Sequence, residues 1–491
     1  MKNFKNIKNI IGLLLISIGF VSCEVENKLD EIVDPEIVYP AATSGSADFS
    51  NFVALGNSLT HGVVSGTVFL AGQQNSFPNI MANQMKAMGG GDFIQPLVDD
   101  NIGGLLYGGQ QAAAPRLYFN GAGPAYLDAI PTTEVTSKIS GPFNNFGVGG
   151  AKSYHLIAPG YGSLSGVLAG TANPYFARMS SSETATVLED AVATNPTFFS
   201  LWIGNNDVLG YATTGGNSSN PITDTPTFDF AMTTLVETLT ANGAKGIIAN
   251  IPDVTAIPFF TTVSYNPIPL DAATAGQLNA AYAAYNGGLQ AAFQALAGTG
   301  LFTQEELDRR TINFVEGNNA VVILDEFLTD LGAINPAFAG LPQLRQTTAA
   351  DLITLPTASL LATGGGTATP LSDTNVLTPE EQEEILQATT TFNATISSLA
   401  SQKGLALYDV NTTFQAMANG GVPFDEYVLN SSLVFGGAIS LDGVHPTSRG
   451  YAFIAKEMLK QIDVTYGSNF EASGNLPKAG DYPTNYSPTL R

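Results

Sequence analysis

The chain has 491 residues, with 19 Lys and Arg against 42 Asp and Glu, a formal net charge of −23. So acidic a balance argues against nucleic acid and anionic membrane surfaces as partners, since both are held by clustered Lys and Arg. Its one cysteine, Cys23, excludes an intramolecular disulfide.

The first segment reads as an address. Lys2, Lys5 and Lys8 precede an apolar run from Ile10 to Val21, followed by Ser22 and Cys23. That is the pattern of a secretory signal peptide over 1–22, too short to span a bilayer comfortably. Without it, the 19 basic residues lose those three lysines, leaving 16 against 42 acidic and a formal charge of −26. The 469 residues from Cys23 onward exceed one typical domain, so two domains or one heavily inserted domain is expected. Residues 23–48 are acidic, Pro-containing and weakly patterned, a tether.

Asn51 to Leu55 is a short apolar run closed by Gly56, a buried strand. Asn75 to Met88 has helical spacing. Gly89 to Pro142 is rich in Gly, Ala and Pro without clear periodicity, an insertion or functional loop. Phe143 to Val148 is a second strand, Glu183 to Thr194 a helix, and Thr197 to Ile203 a third strand. Thr225-Pro226 opens a helix with Thr225 as cap, and Met232, Leu235, Val236 and Leu239 form its apolar face. Gly246 to Ile251 is a fourth strand and Gln277 to Leu296 an Ala-rich helix. Val321 to Leu324 and Leu405 to Val410 are further strand candidates, with a helix from Thr378 to Gln402 between them. Thr447 caps a last helix. Strands alternating with helices predict an α/β fold with a parallel sheet covered on both faces.

In such sheets ligands bind beyond the carboxyl ends of the strands. Four polar motifs fall there or just before the last helix: Gly56-Asn57-Ser58, Gly147-Val148-Gly149-Gly150, Gly204-Asn205-Asn206-Asp207 and Asp442-Gly443-Val444-His445. Their chemistry is mutually consistent. A serine hydroxyl needs an adjacent base, which His445 can be, and Asp442 is close enough in sequence to brace that imidazole. Acyl transfer also needs donors for a developing oxyanion; the Ser58 amide, the Gly150 amide (with Gly149 as alternate) and the Asn206 side chain are candidates. His61 and His155, which lack an acidic residue at bracing distance, are assigned pocket-wall or surface roles. Zinc-type His and Cys spacing is absent, Lys152 stands where a dinucleotide loop needs its third glycine, and there is no G-x-S-x-G elbow, so no metal or cofactor is expected.

These four segments resemble the motif blocks of the SGNH, or GDSL, esterase and lipase family. Carried over position by position, Ser58 matches the nucleophile, Gly150 and Asn206 the oxyanion residues, and Asp442 and His445 the Asp-x-x-His pair. Asn57 replaces the Asp of the GDS motif. The resemblance implies a flavodoxin-like three-layer α/β/α sandwich over 49–465, with insertions near 89–142 and 300–377, and a tail over 466–491. It implies a serine ester hydrolase acting on a small-molecule or glycan ester. Acetylated carbohydrate is an alternative substrate, and a non-catalytic surface binding lipoprotein an alternative function. Phe20-Val21-Ser22-Cys23 is similar to the bacterial lipobox, with Phe20 in place of the usual Leu. That likeness implies acylation of Cys23 and export to the bacterial cell envelope, at the outer membrane, with the lipid as the membrane contact.

Overall fold

In the computed structural model, which describes residues 38–491, five apolar runs form one sheet. They are β1 (Phe52–Gly56), β2 (Asn145–Gly147), β3 (Phe198–Trp202), β4 (Lys245–Ala249) and β5 (Ala406–Tyr408). Every pairing is parallel, in the order β2-β1-β3-β4-β5. That is the flavodoxin-like order, in which the chain reverses direction across the sheet between β1 and β3. β1, β2 and β3 are buried along their whole length, as strands covered on both faces are. The signal peptide expected over 1–22, Cys23 and the expected tether as far as residue 37 lie outside the described residues.

The principal helices are α1 (Ser58–His61), α2 (Phe77–Met85), α3 (Asn205–Thr213), α4 (Thr225–Thr240), α5 (Ala272–Ala295), α6 (Pro379–Lys403), α7 (Val410–Asn419) and α8 (Ser448–Tyr466). α2 packs on α8 and α4 on α6, giving the helical layers that cover the sheet. The predicted apolar face of α4 is inside, with Met232, Leu235, Val236 and Leu239 buried, and on α8 Ile454, Met458, Leu459 and Ile462 are buried as well. Among the described residues, no helix is long and apolar enough to cross a membrane.

Several boundaries differ from the sequence reading. Asp224, not Thr225, caps α4, its carboxylate accepting from the Thr227 amide, so Thr225 and Pro226 lie inside the first turn. The helix expected over 183–194 is only Val187–Val192, started by a Thr186–Glu189 capping box. Val322–Leu324 is a strand outside the central sheet. It pairs antiparallel with Leu344–Gln346 in the second insertion, where Val322, Leu344, Tyr282 and Phe314 share a separate small core.

The ends of the described chain are held more closely than a tether and a tail suggest. Ala47 and Phe49 are buried, and the Ser46 amide donates to the Tyr466 carbonyl at the end of α8. In the last segment Phe470 and Ala479 are buried. Arg116, fully buried in the first insertion, donates to the carbonyls of Ser487 and Leu490. That insertion is otherwise two short hairpins, Leu105–Tyr107 with Gln110–Ala113 and Leu117–Phe119 with Pro124–Tyr126.

Candidate active site

β1 ends at Gly56, where an added Cβ would lie 2.3 Å from the Trp202 carbonyl of β3. The turn that follows is locked from below. Asn57 caps α1, its side-chain oxygen accepting from the Leu59 amide at 3.0 Å, while its Nδ2 donates to Asn205 Oδ1 at 3.1 Å. Asn57 therefore ties the loop after β1 to the loop after β3. Ser58 begins α1 and is half-buried.

His445 Nε2 lies 2.9 Å from Ser58 Oγ, and His445 Nδ1 lies 2.8 Å from Asp442 Oδ2. Asp442 is itself surrounded by donors. Its Oδ1 accepts from the Val444 and His445 amides at 2.9 Å and from the Ser440 hydroxyl at 3.2 Å, and Oδ2 accepts from the Gly66 amide at 2.7 Å. Burial alone pushes this carboxyl upward. The His445 ring and the amide donors outweigh it and hold Asp442 below the usual carboxylate range. An anion so placed fixes the imidazole's orientation and favours a proton on Nδ1, leaving Nε2 to accept from Ser58. Ser440 and Gly66 were not singled out from the sequence. Nothing in a serine or a glycine marks it as a carboxylate donor until residues some 375 positions apart meet; the Ser65 amide donates to Ser440 Oγ at 2.8 Å across that separation.

The candidate oxyanion groups stand on the loops that follow three adjacent strands, β1, β2 and β3. The Ser58, Gly149 and Gly150 amides donate to no protein acceptor among the described residues. Gly150 has φ +80°, and a Cβ built there would meet nothing within 4 Å. Asn206 lines the cavity beside Ser58 and spends one side-chain N–H on the Ala151 carbonyl at 2.9 Å, leaving the other unused. Gly150 does not line that cavity. It borders a separate polar cleft with Lys152, Tyr154 and His155, joined to Asn206 through Ala151. Asp207, buried behind Asn206, accepts from the Ser153 amide and hydroxyl and so anchors the stretch that follows Gly150.

The other two histidines are remote from proton transfer. His61 is buried against Tyr175 with no partner for Nδ1, and burial, then the Arg178 charge, pushes it down to about 3. It is neither on the surface nor in the wall of the Ser58 cavity, which corrects that expectation. His155 accepts from the Lys152 amide, stacks on Tyr161, and is pushed down to about 4 by burial and Lys152.

Among the described residues one group of carboxylates has metal-ligand spacing: Glu326, Asp373 and Glu381, with ligand atoms within 4.8 Å of one another. None lines the Ser58 cavity. Burial pushes Glu381 up to about 8, the state of a carboxyl that keeps its proton beside other acids.

No protein-family model matches this chain, and no curated protein sequence matches it. Among solved structures, an extracellular lipase from Streptomyces rimosus aligns over 84% of this chain and 98% of its own, at 13% identity and a TM-score of 0.30. A superposition that weak carries no argument, so the reading below rests on the site's own geometry.

Proposed function

We propose that this protein is a serine hydrolase of carboxylic esters working through an acyl-enzyme at Ser58. The observation that carries the reading is the continuous hydrogen-bonded line from Asp442 through His445 to Ser58 Oγ, with distances of 2.8 and 2.9 Å. In the first step His445 Nε2 takes the Ser58 proton as Oγ attacks the ester carbonyl. The carbonyl oxygen becomes an oxyanion, held by the Ser58 amide, the Gly150 amide and the free N–H of Asn206. The tetrahedral intermediate collapses, and His445 returns the proton to the departing alkoxide. Water, deprotonated by the same nitrogen, then releases the acid and restores Ser58. Asp442 stays ionised and stabilises the imidazolium.

This reading supports the SGNH assignment by residues and their order along the chain. It includes export, a lipid on Cys23 and a single hydrolase domain over 49–465. The test is Ser58→Ala assayed on short p-nitrophenyl esters. Turnover should fall to the background rate; undiminished turnover would eliminate the proposal.

A further inference from the structure

The geometry points to a specific substrate class for this site: esters of medium-chain aliphatic acids, with the acyl chain lying along the carboxyl edge of the sheet and α7 setting its length. The inference rests on the ester-hydrolase reading and adds what the acyl group is.

A narrow cleft of about 770 Å³, counted out to its open mouth, starts at Ser58 and His445. It touches the carboxyl end of one strand after another: Ser58 beyond β1, Trp202 at the end of β3, Pro252 beyond β4 and Tyr408 at the end of β5. β1 and β5 are three positions apart in the sheet. At about 4.8 Å per strand the cleft runs about 14 Å sideways. A saturated chain advances about 1.25 Å per carbon, from C–C bonds of about 1.52 Å near the tetrahedral angle, so about eleven carbons fill that length.

The walls suit an alkyl chain and not a sugar. Away from the Ser58 end the polar side chains are Tyr408 and Thr413, and the Thr413 hydroxyl is already committed to the Asp409 carbonyl. A pyranose would bring several hydroxyls with few partners, each costly to strip of water. One wall is a face of α7, where Val410, Phe414 and Met417 sit at i, i+4 and i+7 and all three line the cleft, and Phe453 and Ile454 of α8 line it as well. A slot walled by apolar helix faces suits the part of the ester that remains covalently on Ser58 while the alcohol leaves.

The experiment measures kcat/KM for p-nitrophenyl acetate, octanoate and dodecanoate, with the fold of each variant checked by thermal unfolding. Wild type should favour octanoate over acetate by at least about tenfold, since each methylene in an apolar pocket counts. Phe414→Trp should lower the dodecanoate-to-acetate ratio at least about tenfold by filling the slot. Met417→Trp gives the same reading if the first variant does not fold. Wild type should also cleave methyl decanoate faster than decyl acetate. Equal rates on acetate and octanoate, an unchanged ratio in a folded Trp variant, or faster cleavage of decyl acetate each overturns the acyl assignment while leaving the esterase intact. Failure to cleave any of these esters overturns the esterase reading itself, and this inference with it.

Discussion

His445 Nε2 and Ser58 Oγ are 2.9 Å apart although 387 positions separate them in the chain. The contact is made possible by the two ends of the α/β core. β1 carries Ser58 to the sheet's carboxyl edge, and the loop before α8 brings His445 over it. Tyr451 in the first turn of α8, fully buried, donates to the Val63 carbonyl just past α1 and holds the two ends together.

The brace on the imidazole should be as important as the imidazole. Asp442→Asn keeps the shape but offers an amide where Nδ1–H needs an acceptor, which favours the wrong tautomer. The expected loss in kcat is about two to four orders of magnitude, with KM little changed. Steady-state kinetics on an activated ester would check it, and a loss below tenfold would remove Asp442 from the site.

Asn206→Ala should lower kcat by about two to three orders of magnitude, the cost of one oxyanion donor. The same change also removes the bond to the Ala151 carbonyl. Thermal unfolding therefore serves as the control for structural damage, and Asn206→Asp, which keeps the size but can donate neither to Ala151 nor to an oxyanion, should be at least as slow. An unchanged rate in either variant would take Asn206 out of the oxyanion site.

The buried link below the nucleophile predicts a stability effect. Asn57→Ala removes both the cap on α1 and the bond to Asn205, and should cost about 1 to 2 kcal/mol in denaturant unfolding. Asn57→Asp keeps the cap. The Asn205 amide can turn its NH₂ towards the carboxylate, so this variant should lie within about 1 kcal/mol of wild type. Equal losses in the two variants would contradict the account.

His61 gives a pH signature. Its folded value is depressed to about 3, whereas an imidazole in the unfolded chain titrates near its ordinary value of about 6.5. Between those limits the unfolded state binds the extra proton, so stability falls as the pH drops, by up to about 1.4 kcal/mol per unit. His155, depressed to about 4, acts in the same direction. Denaturant unfolding at several pH values should give a shallower slope for His61→Gln than for wild type. Parallel slopes would show that His61 does not carry the effect.

How legible this was in the sequence depended on the physics of each element. Runs such as Phe198–Trp202 announce buried parallel strands because both faces must be apolar. The same criterion misplaced Val322–Leu324, since an apolar run looks alike in a central sheet and in a satellite core. The Ser58, Asp442 and His445 motifs were readable, because each falls beyond a strand or before a helix where side chains converge. The donors on Asp442 were not, as Gly66 and Ser440 gain meaning only through a contact across the fold. The docking of the last residues was also hidden. It runs through Arg116 to backbone carbonyls, which leave no periodic mark in the sequence.

One hydroxyl in this chain, Ser58 Oγ, is proposed to be an activated nucleophile. A fluorophosphonate probe followed by peptide mass spectrometry tests it directly. The expected result is a single adduct, on the peptide containing Ser58, absent in Ser58→Ala and strongly slowed in His445→Ala. A folded protein that takes no label, or that carries it on a different serine, would contradict it.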